Sequence, residues 1–255
     1  MKQKITSYCR QIEEEENITI LFAVESGSRL WRMSSEDSDY DVRFVFVQPL
    51  ENYLSVKNEI ATNKVINHTF EQGLIDISGF DVFKFCKLLL KSNPSVIEWM
   101  QSDILYYGQK PQELQKIALT SFNPNALYYH YKSMCSFNYH KYLAIKQQVT
   151  HKKYLYALRG LLNAKYVQKT GKLPPIHFPE GLEKCKAIIP DRIIKELKET
   201  ITLKMQGKEK EIILNNTLYD DYIERFLQQE NEPVAVRNIN EEKINKVLQK
   251  LVLPR

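Results

Sequence analysis

The stretch 25-ESGSRLWRMSSEDSDYDVRFVFV-47 joins the end of one apolar segment to the start of the next. Residues 18–27 form a nearly continuous apolar run rich in β-branched and aromatic side chains, which is typical of a buried strand. Residues 39–47 predict a second strand that begins with two aspartates, Asp39 and Asp41. Carboxylates are costly where a strand enters a core, so this placement calls for a functional explanation.

The two aspartates are predicted to share a cation. Side chains alternate along a strand, so Asp39 and Asp41 project from one face with their Cα atoms about 6.5 to 7 Å apart. Hard oxygen ligands in this arrangement suit Mg²⁺. Upstream, Gly27 permits a tight turn, and Ser28 would begin a short helix over 28–33 whose free N–H groups can hold a phosphate. A phosphate site beside metal-binding carboxylates is the layout that phosphoryl or nucleotidyl transfer needs.

A third carboxylate is available in 73-GLIDIS-78, a predicted strand in which Asp76 lies between two isoleucines. In two-metal chemistry such a residue can ligate the catalytic ion and help to deprotonate the attacking hydroxyl. Asp81 is the alternative third acid. Its position before the helical pattern of 81–91 is explained more simply by an N-cap.

Composition predicts an ordinary soluble protein of 255 residues, 43% hydrophobic and 26% charged. The four cysteines are far apart and include no CxxC pair, which favours reduced thiols and a cytoplasmic location. No run reaches the roughly 18 to 20 apolar residues of a membrane span, and the N-terminus has no apolar signal core. A net charge of +5 is compatible with phosphate-bearing ligands but low for a dedicated DNA-binding protein.

The order of the patterns predicts an α+β (mixed α/β) fold, with a short mixed sheet flanked by helices and a helical domain behind it. A polar amphipathic helix is expected over 2–16, and 53–72 is ambiguous, with room for one or two edge strands. From Pro94 onward strands nearly vanish from the pattern. We therefore predict a catalytic core over 1–110 and a helical domain over 111–255 that completes a cleft.

The helical segment 151-HKKYLYALRGLLNAKYVQK-169 allows two interpretations. Its buried face is predicted at Tyr154, Leu155, Leu158, Leu161 and Leu162. The opposite stripe could be a solvated face, which is the usual position of lysine and arginine. It could also be a second wall of the cleft that contacts a triphosphate, with Tyr156 oriented by its basic neighbours Lys152, Lys153 and Arg159.

Two further patterns carry less weight. The tyrosine-rich segment 127–143 could stack nucleic-acid bases between basic residues, although packing between helices is the more usual role of such aromatic residues. His130, Cys135 and His140 are spaced five apart, which distributes them around a helix and argues against a metal site.

Arg43 shares the face of Asp41 on the predicted second strand. Either an ion pair with a carboxylate or a contact with the substrate fits this position.

The pattern Gly27-Ser28, Ser38-Asp39-Tyr40-Asp41-Val42 and a later strand aspartate resembles the DNA polymerase β-like nucleotidyltransferase superfamily. More narrowly, the chain is similar over about residues 18–176 to a bacterial nucleotidyltransferase family that includes members associated with RNA repair. The similar segments are ESGSRLWRMSSEDSDYDVRF, DISGFDVFKF, LLKSNPSVIEWMQS and KKYLYALRGLL. The resemblance implies a minimal nucleotidyltransferase core followed by a helical domain.

The resemblance also implies roles for particular residues. The metal ligands, for Mg²⁺ or Mn²⁺, would be Asp39, Asp41 and Asp76. Gly27 and Ser28 would hold the phosphates of an NTP. Further nucleotide contacts are predicted for Arg29 near this site and for Lys152, Lys153, Tyr156 and Arg159, where the family has a similar Lys-Lys and Arg pattern. This family usually has glycine where this chain has Arg32, a better helix former that adds charge near the phosphate site.

The expected activity is transfer of an NMP from an NTP to a hydroxyl acceptor, with release of pyrophosphate. An RNA end is the acceptor that the family's association with RNA repair suggests, while a hydroxyl of a protein partner or of a small molecule stays open. The alternative class is a non-catalytic nucleotide- or RNA-binding regulatory protein. The sequence leaves nucleotide preference and oligomeric state undetermined.

Overall fold

The chain forms two compact units in a computed structural model that describes residues 1–208, 211–230 and 234–253. The first unit contains Met1–Leu30, Asp39–Phe122 and the residues from Asn238 onward. The second contains Trp31–Ser38 and Asn123–Arg237. The predicted mixed α/β class is confirmed, since strands and helices alternate in the first unit and helices make up most of the second.

The helices and strands follow one another along the chain as α1 (Lys2–Glu16), β1 (Thr19–Ser26), α2 (Gly27–Leu30), β2 (Tyr40–Val47), α3 (Leu50–Tyr53), β3 (Val65–Phe70), β4 (Ile75–Asp81), α4 (Val82–Leu90), α5 (Pro94–Gln101), β5 (Leu105–Gly108), α6 (Gln112–Thr120), α7 (Pro124–Tyr142), α8 (His151–Thr170), α9 (Phe178–Lys184), α10 (Asp191–Met205), α11 (Thr217–Gln228) and α12 (Glu241–Val252). Among the described residues, none of these helices combines the length and the apolar character of a membrane span.

The sheet of the first unit has the strand order β3-β4-β2-β1-β5. Strands β2 and β4 are parallel, and the other neighbouring pairs are antiparallel. The three predicted strands are present as β1, β2 and β4, and the ambiguous segment 53–72 contains one edge strand, β3. The patterns do not predict β5, because this strand has only four residues and pairs with β1 from a distant part of the chain.

The sheet is covered on both faces. On one face, Ile5 and Ile12 of α1 join a buried cluster with Val42, Phe44 and Phe46 of β2. On the other face, α4 and α5 pack through stacked and edge-on aromatic rings, including the pairs Phe22–Phe85 and Phe85–Trp99. Since side chains alternate along β2, its Asp41 and Arg43 project away from the α1 cluster.

The predicted boundary near residue 110 remains a prediction about where the catalytic core ends. The compact units divide elsewhere, since residues 111–122 and α12 belong to the first unit. An ion pair illustrates the reason, because Lys250 Nζ of α12 lies 2.8 Å from Glu113 Oε1 of α6. A contact between segments so far apart in sequence has no local signal.

In the second unit, α7 and α8 pack closely. A Cβ on Gly160 would lie 2.8 Å from the backbone nitrogen of Cys135 and 3.0 Å from the carbonyl oxygen of Tyr131, so glycine permits the close approach. The five residues predicted for the buried face of 151–169 are all buried. Tyr154 Oη also donates a 2.9 Å hydrogen bond to Asp220 Oδ1, which joins α8 to α11.

Candidate functional site

The turn at Gly27 places the end of β1 against the start of β2. Gly27 has φ +66°, in the left-handed region that favours glycine. Ser26 pairs with Asp41 in the antiparallel register, and a Cβ on Gly27 would lie 2.1 Å from Asp41 Oδ2. The glycine is therefore required both for the turn and for the space that the Asp41 carboxylate occupies.

The short helix after this turn ends earlier than predicted. The sequence suggested a helix over 28–33, but α2 ends at Leu30 and Arg32 has φ +60°. The left-handed conformation costs a non-glycine residue roughly 1–2 kcal/mol, which gives a physical reason for glycine at this position in similar sequences. The prediction that Arg32 extends the helix is wrong, and its side chain is exposed.

Two of the three predicted metal ligands lie next to each other. Asp41 and Asp76 are partners in the parallel register of β2 and β4. Arg43 lies between their carboxylates, with Nη2 donating to Asp76 Oδ2 at 2.9 Å and to Asp41 Oδ1 at 3.3 Å. Its Nη1 donates to the carbonyl oxygens of Val42 and Asp76. Of the two interpretations of Arg43, the structure contains the ion pair.

Asp39 lies one residue before β2, and it is exposed. Its carbonyl oxygen accepts a 3.1 Å hydrogen bond from Arg29 Nε, while the Arg29 guanidinium stacks 3.7 Å from the ring centroid of Tyr40. Arg29 thus connects the turn after β1 to the residue that precedes β2. The predicted phosphate-binding residues Gly27, Ser28 and Arg29 and the predicted ligand Asp39 belong to one unit.

A buried glutamate, Glu25, supports Asp41 from behind and was missed by the sequence patterns. Its side chain is fully buried, Oε1 accepts from the backbone N–H of Asp41 at 3.0 Å, and Oε2 accepts from Tyr106 Oη at 2.5 Å. Burial raises the pKa of Glu25 to about 7, although both hydrogen bonds favour the charged form. The sequence signal that could have indicated this role is an acidic residue near the end of an otherwise apolar strand.

The substitution Glu25→Ala is expected to lower the free energy of unfolding by about 2 kcal/mol, because it leaves the Asp41 amide and the Tyr106 hydroxyl buried without their acceptor. Urea unfolding followed by circular dichroism measures the change. Glu25→Gln keeps a carbonyl oxygen and the side-chain shape, so it should recover more than half of the loss. Equal urea midpoints for wild type and Glu25→Ala would contradict this role.

Asp81, the alternative third acid, caps a helix. It is fully buried and accepts hydrogen bonds from Phe83 N at 2.8 Å, Gln48 Nε2 at 2.8 Å and Tyr53 Oη at 2.6 Å. The N-cap prediction for α4 is confirmed. These partners account for the carboxylate without any catalytic role.

The predicted phosphate-binding residues of α8 belong to the second unit. Lys152, Lys153 and Tyr156 line a cavity of about 300 Å³. Arg159 is only 4% exposed, and its guanidinium lies 3.8 Å from the ring centroid of Trp31. Tyr156 contacts the same indole edge-on, at 5.6 Å between centroids. The structure places Tyr156 and Arg159 against Trp31 and Lys152 and Lys153 beside Tyr156 in the cavity, and contact of these residues with a triphosphate remains a prediction.

The donor set of the first unit fits a divalent cation chemically. Within the described ranges, no group of three or more histidine, cysteine, aspartate or glutamate side chains is arranged to hold a metal ion. Asp41 and Asp76 nevertheless present partly exposed carboxylate oxygens on one face, and hard oxygen ligands are those that Mg²⁺ and Mn²⁺ prefer. These two residues, with Asp39 at the start of the same strand, are the ones that would hold such an ion.

Comparisons with known proteins identify a family for this chain. The model of a family described as "RNA repair pathway DNA polymerase beta family" matches residues 1–252. The uncharacterized protein YcgL of Bacillus subtilis is 36% identical over 247 residues, which cover 95% of this chain and 91% of that protein. The uncharacterized protein MJ0002 of Methanocaldococcus jannaschii is 35% identical over 115 residues, which cover 44% of this chain and 45% of that one.

One solved structure is also similar, a nucleotidyltransferase-like protein from Exiguobacterium sibiricum 255-15. It has 12% sequence identity and a TM-score of 0.31, over 88% of this chain and 74% of that one. The family model and the Bacillus subtilis relative both extend over nearly the whole chain. The chain therefore belongs to the RNA repair pathway DNA polymerase beta family.

Proposed function

We propose that this protein is a metal-dependent nucleotidyltransferase that moves an NMP from an NTP to the hydroxyl end of an RNA and releases pyrophosphate. Membership in the RNA repair pathway DNA polymerase beta family supports nucleotidyl transfer in general. The observation that carries the proposal is the pairing of Asp41 with Asp76 across β2 and β4, beside the Gly27 turn. Two adjacent carboxylates and a tight glycine turn are the parts that this chemistry requires.

In this proposal the carboxylates of Asp39, Asp41 and Asp76 hold Mg²⁺ or Mn²⁺. The ion, when bound, would supply positive charge that polarises the transferred phosphoryl group. Asp76 would also accept the proton of the attacking hydroxyl. The turn at Gly27 and Ser28, with Arg29 beside it, would hold the phosphates of the NTP. Further phosphate contacts are proposed for the α8 residues Lys152, Lys153, Tyr156 and Arg159.

Transfer onto a protein hydroxyl and nucleotide binding without turnover are the competing functions, and one assay separates them from transfer to RNA. Purified protein is incubated with each α-³²P-labelled NTP, Mg²⁺ or Mn²⁺, total RNA and a protein fraction, beside an Asp39→Ala/Asp41→Ala double variant. Label in RNA with the wild type alone supports the proposal. Label in protein redirects it to a protein acceptor, and no transfer in any fraction overturns it.

The substitution Arg43→Gln is expected to tighten Mn²⁺ binding roughly tenfold at low salt, because it removes a positive charge from between the Asp41 and Asp76 carboxylates. Isothermal titration calorimetry with Mn²⁺ measures the dissociation constant. Arg10→Gln, an equal charge change on the exposed side of α1, serves as the control and should leave the constant unchanged. Unchanged or weaker Mn²⁺ binding by Arg43→Gln would contradict the assignment of the ion to these carboxylates.

A further inference from the structure

The net positive charge of this protein is concentrated in one part of the chain, because acidic residues are absent there. Residues 114–179 contain ten lysines and arginines and no aspartate or glutamate, whereas the whole chain has a net charge of +5. The segment includes both α7 and α8. A surface built from these two helices therefore has a positive potential that the average charge of the chain conceals.

A cavity opens between α7 and α8, and we call it the α7–α8 pocket. Its volume is about 300 Å³, and its lining residues are Asn138, Tyr142, Lys152, Lys153 and Tyr156. This lining combines two aromatic rings, a side-chain amide and two ammonium groups. None of these five described residues carries a carboxylate.

The rim of the α7–α8 pocket repeats the same combination of groups. Phe137 is 57% exposed, and its ring meets that of Tyr142 edge-on at 6.3 Å between centroids. Lys141 Nζ lies 4.9 Å from the ring centroid of Phe137 and 5.0 Å from that of Tyr142. The exposed Phe137 ring therefore presents a flat apolar face next to the Lys141 ammonium group.

The buried tyrosines of the same helices have a different role. Tyr139 Oη donates to Glu224 Oε1 at 2.5 Å, and Tyr154 Oη donates to Asp220 Oδ1 at 2.9 Å, so both serve to pack α7 and α8 against α11. The buried tyrosines of α7 and α8 therefore serve packing. Beside the pocket, Phe137 is exposed and Tyr142 is half-buried, so both rings have surface that a ligand can reach.

We propose that the α7–α8 pocket and its rim bind a single-stranded nucleic acid, which under the proposed function is the RNA acceptor. Aromatic faces stack bases of any sequence, and adjacent lysines neutralise the phosphates that connect those bases. The Asn138 amide can donate to and accept from the edge of a base held in the pocket. An acidic peptide would use the lysines but would leave the accessible faces of Phe137 and Tyr142 without a stacking partner.

Fluorescence anisotropy with a short fluorescein-labelled single-stranded RNA, in EDTA and without NTP, tests this proposal. Lys152, Lys153 and Tyr156 of the lining are also proposed NTP contacts, so the variants are taken from the rest of the pocket and its rim. Tyr142→Ala and Lys141→Glu should each weaken RNA binding roughly tenfold. The control for Tyr142→Ala is Tyr129→Ala, which removes an exposed tyrosine of α7 about 20 Å from Tyr142. The control for Lys141→Glu is Lys195→Glu, which makes the same charge change at an exposed position of α10. Both controls should bind as the wild type does.

Circular dichroism shows whether each variant is folded. If Tyr142→Ala or Lys141→Glu is misfolded, Phe137→Ala is used in its place, because the Phe137 side chain is 57% exposed and its loss should not disturb the fold. Lys141→Gln should also lower the slope of log affinity against log salt by about 0.7, the share of one phosphate contact on a single strand. Absence of RNA binding by the wild type at low salt would overturn the proposal. Wild-type RNA affinity in both Tyr142→Ala and Phe137→Ala would also overturn it. So would tighter binding of single-stranded DNA than of RNA, or displacement of the labelled RNA by polyglutamate as efficient as displacement by unlabelled RNA.

This experiment separates the pocket from the proposed chemistry because no NTP is present. If the wild type binds RNA through Tyr142 but transfers no nucleotide, the pocket stands and the proposed function fails. If label enters RNA while Tyr142→Ala and Phe137→Ala bind RNA normally, the proposed function stands and the pocket assignment fails.

Discussion

The substitution Asp41→Asn is expected to lower the rate of nucleotidyl transfer by about a thousandfold while leaving the urea midpoint almost unchanged. Loss of one carboxylate removes several kcal/mol of the metal's stabilising effect on the transition state, and each 1.4 kcal/mol corresponds to tenfold in rate. The fold should tolerate the change, since asparagine retains an oxygen for Arg43 and the backbone bond to Glu25 is not altered. Single-turnover incorporation of α-³²P-NMP measures the rate.

The control for this prediction is Glu36→Gln, an equal charge change at an exposed position in the segment that precedes Asp39. It should transfer at the wild-type rate. A second readout, the calorimetric Mn²⁺ titration, should show a lower affinity in Asp41→Asn than in Glu36→Gln. Transfer by Asp41→Asn within a few-fold of the wild type would remove Asp41 from the catalytic site.

The substitution Gly27→Ala is expected to reduce transfer by about a hundredfold, through displacement of the Asp41 carboxylate. The new methyl group would lie 2.1 Å from Asp41 Oδ2, so the carboxylate must move by an ångström or more, and a displacement of this size can cost about a hundredfold in rate. The left-handed backbone at φ +66° also costs roughly 1–2 kcal/mol once a Cβ is present. Incorporation assays and urea unfolding measure the two effects.

Gly171→Ala separates backbone strain from displacement of the carboxylate. Gly171 follows the last residue of α8 and has φ +62°, close to the φ of Gly27. The nearest atom to a Cβ added at Gly171 is a side-chain nitrogen at 4.0 Å. This variant should lose a similar amount of stability and keep its activity. If both glycine variants lost stability equally and both kept full activity, the contact between Gly27 and Asp41 would have no catalytic consequence.

Part of this arrangement is predictable from local patterns. Apolar runs and alternation predict β1, β2 and β4, and the helical period predicts the buried face of α8, because backbone geometry repeats every two or 3.6 residues whatever the rest of the chain does. The aspartates at the head of β2 and in β4 are conspicuous because their local context is apolar. The tight turn at Gly27 follows from the glycine itself.

Other features depend on residues that are distant in the sequence. Glu25 has no motif of its own, and its importance comes from Tyr106, which lies 81 residues away. Arg159 looks like part of a solvated stripe until Trp31 covers it. The same limit applies to β5, whose four residues form a strand only because the edge of β1 is available.

Local patterns alone predict β1, β2, β4, the buried face of α8, the turn at Gly27, the three candidate carboxylates and the family resemblance, since each depends on neighbouring residues or on a fixed spacing. Contacts between distant segments place Asp41 beside Asp76 with Arg43 between them, place Glu25 behind Asp41, and bring Phe137 and Tyr142 together with lysines beside the α7–α8 pocket. The physical reason is that strand register and helix packing bring together side chains whose separation along the chain leaves no periodic signal.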